Sequence, residues 1–257
     1  MNNFICFFPK RPKVIYCSKR TISMAKLIVV KVGTSIVTKN TRLRLKNLTE
    51  ISKQIAFLKK KGLAEPLIVT SGAIGLGMAE LGHKKKPSQI PKQQAAAAIG
   101  QSTLIEAWKR ILGRYGLRAG QALPSESDFH SKTKMFNLTN CIRELLRVNA
   151  IPVINENDVM STEELKRKKK FSDNDGLSRE IAIHLSAWQL LILTDSKPHS
   201  GIGAGGMLSK VEAAMEASDK GVKTTIIPFP NPIENVIIRA VTKGDVGNVY
   251  NPPKPKN

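Results

Sequence analysis

From Lys26 onward, short apolar runs alternate with stretches of helical periodicity, and this alternation narrows the possible folds more than any other feature of the chain. LIVVKV (27–32), LIVT (67–70) and residues 117–123, 151–154, 189–193 and 222–227 read as strands. Between them, residues 47–61, 91–113, 132–148, 177–185 and 209–220 read as helices. In the first helical stretch Leu48, Ile51, Ile55 and Leu58 fall on one face, and Gly62 supplies a stop. Strands that are apolar throughout, rather than alternating, are buried on both faces. The pattern therefore predicts an α/β fold with a mostly parallel sheet covered by helices on both sides. No fixed-period repeat is visible. In open parallel sheets ligands bind beyond the carboxyl ends of the strands, so the residues that follow each strand carry the functional reading.

Composition removes several function classes. A chain of 257 residues with 41% apolar and 24% charged residues buries a sizeable core, which argues against disorder. No apolar run approaches the length of a membrane span. Cys6, Cys17 and Cys141 form no CxxC pair, and the four histidines (83, 130, 184, 199) lack ligand spacing, so neither a disulfide framework nor a zinc site is expected. The setting reads as reducing and cytoplasmic. The net charge is +21, and eleven lysines and arginines precede the first acid, Glu50. A basic chain suits phosphorylated ligands, nucleic acid or anionic membrane, or simply a solvated surface. Aromatics are only 5%, and no nucleic-acid-reading module is evident. Residues 1–24 read as a basic, disordered extension ahead of a domain at 25–250, with residues 251–257 as a tail. An organellar targeting segment at 1–23 and a start at Met24 both remain open.

Each strand end carries small or polar residues suited to anions. Lys31-Val32-Gly33-Thr34-Ser35 sets an ammonium beside a glycine turn whose amides can approach phosphate oxygens. Thr70-Ser71-Gly72-Ala73-Ile74-Gly75 opens a helix, either as an anion site or as a tight turn for close packing. Asn155-Glu156-Asn157-Asp158 follows its strand abruptly and can hold an ammonium or amide group, although Asn and Asp are also ordinary turn formers. Lys166–Lys170 reads as an exposed hairpin tip. Asp173-Asn174-Asp175 is an N-cap or a group that orients lysines or Mg²⁺. Thr194 and Asp195 follow the fifth strand, and the glycine-rich turn 201–206, running into Met207-Leu208-Ser209-Lys210, is a candidate phosphate cradle.

Taken in order, VVKVGTS (29–35), VTSGAIGLG (69–77), AAIGQSTL (97–104), PVINENDVMS (152–161), SDND (172–175), LLILTD (190–195) and GAGGMLSK (203–210) resemble the glutamate 5-kinases of the amino acid kinase family. The resemblance spans roughly residues 25–250. It implies an αβα sandwich around a mostly parallel sheet of roughly eight strands. It also implies transfer of the ATP γ-phosphoryl, with Mg²⁺, to the side-chain carboxylate of L-glutamate, the first step of proline biosynthesis. Proline is implied as a feedback inhibitor and a homodimer or homotetramer as the assembly, with no nucleic acid or membrane partner. By matching motifs, Ser71, Asp158 and Asn174 would hold glutamate. Lys31 and Lys210 would neutralise the phosphates, and Asp173 or Asp175 would orient the lysines or metal. Gly33, Thr194, Asp195, Ala204, Gly205, Gly206, Met207, Leu208, Ser209 and Lys210 would hold ATP beside Lys31.

The chain departs from that pattern in four places. Only Ser196-Lys197-Pro198-His199-Ser200 joins Asp195 to Gly201, where the family carries tens of residues. Pro228-Phe229-Pro230-Asn231 replaces a small glycine-containing turn, and proline donates no N–H. The loop between Asp158 and Asp173 is long and basic, and the C-terminal PUA domain of many bacterial members is not expected. A non-catalytic paralogue that binds glutamate, proline or a partner is the alternative these departures raise.

Overall fold

The computed structural model describes residues 26–160, 174–195, 205–229 and 234–253. The extension at 1–24, the lysine run at 166–170, Asp173, residues 201–204 and the end of the tail lie outside them.

The chain enters through β1 (Leu27–Val32), whose turn leads into a short helix α1 (Thr34–Val37) and a ribbon of β2 (Thr38–Lys39) and β3 (Arg42–Leu43). Helix α2 (Leu45–Lys60) buries Leu48, Ile51, Ile55 and Leu58, and Gly62 at φ +65° ends it. There follow β4 (Glu65–Thr70), α3 (Ala73–Glu80), α4 (Ile90–Gly113), β5 (Arg118–Ala122), α5 (Glu126–Phe129), α6 (Lys132–Arg147) and β6 (Ala150–Ile154). The second half supplies α7 (Asn174–His184), β7 (Gln189–Thr194), α8 (Gly205–Asp219), β8 (Lys223–Pro228), α9 (Val236–Thr242) and β9 (Asn248–Tyr250).

The main sheet runs β5-β6-β4-β1-β7-β8-β9, parallel throughout except for β9 against β8. Side chains alternate between faces along a strand, so β1 divides its residues between two cores. Ile28, Val30 and Val32 pack with α1, α2, α4 and α9 on one side. Val29 packs with α6, α7 and α8 on the other, and Lys31, two residues on, shares that face. This is an αβα sandwich. The chain builds on one side of β1 as far as β6, then crosses to β7 on the other. Such a reversal opens a crevice at the carboxyl ends of the central strands.

Among the described residues the main sheet has seven strands rather than roughly eight. The edge strand β9 and helix α9 carry too short a pattern to be read from the sequence. Helix α7 begins at Asn174 rather than Leu177, and α8 at Gly205 rather than Ser209. Asn, Asp and Gly are weak helix formers, but the first-turn amides have no intrahelical acceptor, so these residues are tolerated there.

Helices α3 and α4 touch backbone to backbone. A Cβ on Gly77 would lie 1.8 Å from the Ala96 carbonyl oxygen, and one on Gly100 would lie 1.9 Å from that of Ala73. We expect Gly100→Ala to cost about 3 kcal/mol in urea unfolding, because two helix backbones must separate. A loss below about 0.5 kcal/mol, within the range of an ordinary surface substitution, would contradict this contact.

Candidate active site

Lys31 sits in the middle of the sheet, yet only 4% of its side chain is exposed. An ammonium there must be paired. Its Nζ forms an ion pair with Asp175 Oδ1, and the Asp175 side chain is fully buried in the first turn of α7. The other oxygen of the same carboxylate, Oδ2, accepts from Lys210 Nζ at 3.2 Å. Lys210 also donates to the Gly206 carbonyl oxygen at 2.7 Å, one helical turn back in α8. One carboxylate thus holds two ammonium groups at the carboxyl edge of β1. Gly33 lies beside them: a Cβ there would come 3.6 Å from Lys31 Nζ and 3.6 Å from the Leu193 carbonyl oxygen. The absence of side chain keeps the backbone next to the cation open to a ligand.

A second chain of contacts runs beside this pair. Asn174 Nδ2 donates to Ser71 Oγ at 2.7 Å and to Asn155 Oδ1 at 3.2 Å. Asn155 Nδ2 in turn donates to Gln101 Oε1 at 2.7 Å. The relay ties the ends of β4 and β6 to α7 and α4. Gly72, at φ +108°, lets the chain turn from Ser71 into α3, a backbone geometry open to glycine. Trp108 Nε1 donates to Thr70 Oγ1 at 3.1 Å and anchors the strand end from below. The result is a cavity of about 340 Å³ lined by Ser71, Gly72, Ala73, Ile74 and Gly75 on one side. Thr34, Met78, Lys86, Asn155, Asp158 and Asn174 complete it.

Of the residues proposed from sequence, Ser71, Asp158 and Asn174 meet in this cavity, and Lys31, Lys210 and Asp175 meet beside it. Thr194 ends β7, buried, and its carbonyl oxygen accepts from the Phe229 amide at 2.6 Å, while Asp195 is exposed. Gly205, Gly206, Met207, Leu208 and Ser209 form the opening turns of α8, with Leu208 exposed. Asp173 and Ala204 lie outside the described residues. Gln101 and Lys86 carry no functional reading in the sequence, while Thr34 and Asn155 fall in strand-end segments singled out there without a role of their own. Asn155 and Gln101 stand within the motifs that carried the resemblance, but nothing local marks them as partners. Among the described residues no group of three or more His, Cys, Asp and Glu is placed to hold a metal ion.

A sandwich with this sheet order and paired lysines at its crevice invites comparison with known proteins. The model of the amino acid kinase family matches residues 26–198. The chain belongs to the amino acid kinase family. Within it, the chain is 34% identical to the glutamate 5-kinase of Thermus thermophilus, with 88% of this chain and 67% of that protein covered. It is 32% identical to the glutamate 5-kinase of Oenococcus oeni, covering 88% and 95%. The Thermus alignment runs over 256 positions while using 88% of a 257-residue chain, so that relative carries about 30 positions with no counterpart here. The carbamate kinase of Giardia lamblia, solved bound to AMP-PNP, superposes with a TM-score of 0.58 at 14% identity, covering 89% of this chain and 99% of that one. At that identity the likeness speaks for the amino acid kinase fold.

Proposed function

We propose that this chain transfers the γ-phosphoryl group of ATP to the side-chain carboxylate of L-glutamate, giving L-glutamyl 5-phosphate, the first step of proline biosynthesis. The observation that carries the reading is the shared carboxylate of Asp175, which gathers Lys31 and Lys210 beside a polar cavity. The attacking carboxylate is already ionised at neutral pH, so no general base is required. Its repulsion by the triphosphate is the obstacle. Positioning and fixed positive charge are what phosphoryl transfer asks of a protein. Lys31 and Lys210 supply that charge, and Asp175 holds both ammoniums in place before substrate arrives. Ser71 and Asn174 position the reacting carboxylate, and Asp158 accepts from the α-ammonium. The Gly33 turn, Thr194, Asp195 and the first turns of α8 receive the nucleotide.

Asp175 is occupied by two lysines, so a magnesium ion would arrive on the triphosphate and be held there by phosphate oxygens and water. When bound, that ion neutralises phosphate charge.

The same zwitterion-binding cavity supports proline as a competing feedback ligand. Exposed apolar side chains such as Phe136 and Met215 leave surface for a homo-oligomer. None of the described helices is long and apolar enough to cross a membrane. We place the reaction in the cytoplasm, without nucleic acid or membrane partners.

The deciding experiment is glutamate-dependent ADP release with the acyl phosphate trapped by hydroxylamine. Hydroxamate from L-glutamate, ATP and Mg²⁺ is the expected result. No hydroxamate above a heat-killed control would favour the non-catalytic alternative. Equal turnover of N-acetylglutamate or aspartate would overturn the choice of substrate.

A further inference from the structure

We propose that Lys86 binds the α-carboxylate of the amino-acid substrate and sets the preference of the cavity for an α-amino acid. This rests on the glutamate reading above and adds a residue to it.

At neutral pH glutamate carries two carboxylates and one ammonium. The side-chain carboxylate must face Lys31 and Lys210, where the phosphoryl group arrives. The ammonium is matched by Asp158. The α-carboxylate then needs a positive partner, because an anion removed from water without one is costly. Among the described residues, Lys86 is the only cationic side chain that lines the cavity. Lys31 and Lys210 are committed to Asp175. Lys86 makes no hydrogen bond or ion pair to any described residue, in contrast to Lys59 and Lys134, which are paired with Glu65 and Asp128.

The backbone beside Lys86 is held in place. Helix α3 closes with the His83 amide bonded to the Met78 carbonyl oxygen at 2.8 Å, and Gly82, at φ +70°, ends it with a left-handed turn. Gln93, a buried residue of α4, donates from Nε2 to the Pro87 carbonyl oxygen at 2.7 Å. A residue that precedes proline is confined to extended backbone, so Lys86 is restrained from its C-terminal side as well. Lys84 and Lys85 share its charge and its loop but do not line the cavity. General attraction of an anionic substrate by the whole lysine run is the competing explanation, and it predicts equal effects from all three.

The test uses the full chain with Lys86→Ala, Lys86→Arg and Lys85→Ala. Hydroxamate formation gives kcat and KM for L-glutamate. The inhibition constant of 4-aminobutyrate, which keeps the reacting carboxylate and the ammonium but lacks the α-carboxylate, is measured beside it. Lys86→Ala is expected to raise the glutamate KM about tenfold, the scale of one charge-assisted hydrogen bond, with the loss in KM rather than kcat. The inhibition constant of 4-aminobutyrate should move less than about twofold, because that ligand never used the contact. Lys86→Arg should recover most of the loss, and Lys85→Ala should leave KM within about twofold. A glutamate KM unchanged in Lys86→Ala overturns the proposal, as does an equal effect of Lys85→Ala or an equal weakening of 4-aminobutyrate. Failure of the underlying kinase reading looks different: the unsubstituted chain itself then makes no hydroxamate. In that case calorimetric titration of glutamate into the Lys86 variants decides the binding role directly, and equal affinity in all of them overturns it.

Discussion

Lys210→Ala is expected to lower kcat for glutamyl phosphate formation by about 10²–10³-fold, the scale seen when one preorganised partner of a developing anion is removed. The ammonium it deletes is 13% exposed and bridges the Gly206 carbonyl oxygen and Asp175. Asp175 keeps Lys31 as a partner, so no buried charge is orphaned. The cost to stability should therefore stay near that of one hydrogen bond, about 1 kcal/mol. Activity and stability separate in this variant, which makes it informative. Hydroxamate assays give the rate, and urea unfolding of the same preparation gives the stability. A variant that keeps more than about a tenth of the wild-type rate would remove Lys210 from the transition state.

Asp175→Ala should behave in the opposite way and damage both. The carboxylate is fully buried and serves two lysines, one of them only 4% exposed. Removing one partner of a buried ion pair typically costs about 3–5 kcal/mol, because the charge left behind must lose its proton or admit water. A large drop in the urea midpoint and no detectable hydroxamate are expected. The double variant Asp175→Ala with Lys31→Met provides the control. It replaces the pair with apolar groups and should recover much of the stability while remaining inactive. If the single variant is as stable as wild type, the shared carboxylate is not the organising element of the site.

Much of this architecture was legible before any coordinates. The apolar runs of β1, β4, β6, β7 and β8 and the periodic faces of α2, α4 and α6 are local signals, and a few residues suffice to read each one. The glycine after Lys31 and the small residues after β4 likewise announce themselves at strand ends. Boundaries slipped where glycine or Asn-Asp opened a helix, at α7 and α8, because propensity ignores the tolerance of a first turn. The first residue of the 251–257 tail is held to the domain, where the Ser218 hydroxyl donates to the Asn251 carbonyl oxygen at 2.6 Å. Lys86 carries no reading of its own in the sequence: its place before Pro87 sets it apart from Lys84 and Lys85, but says nothing of a cavity.

Fold class and the kinds of residue at each strand end are properties of short segments, so periodicity and turn chemistry were enough to establish them. Which groups meet is another matter. Asn174 reaches Ser71 across 103 positions of chain, and Asp175 reaches Lys210 across 35. Those encounters depend on β1 lying between β4 and β7 and on Lys31 falling on the α7 face of the sheet. Strand order is set by which apolar faces bury one another across the whole domain. The partner of Lys31 and the position of Lys86 above the cavity therefore emerge with packing, and no window of sequence contains them.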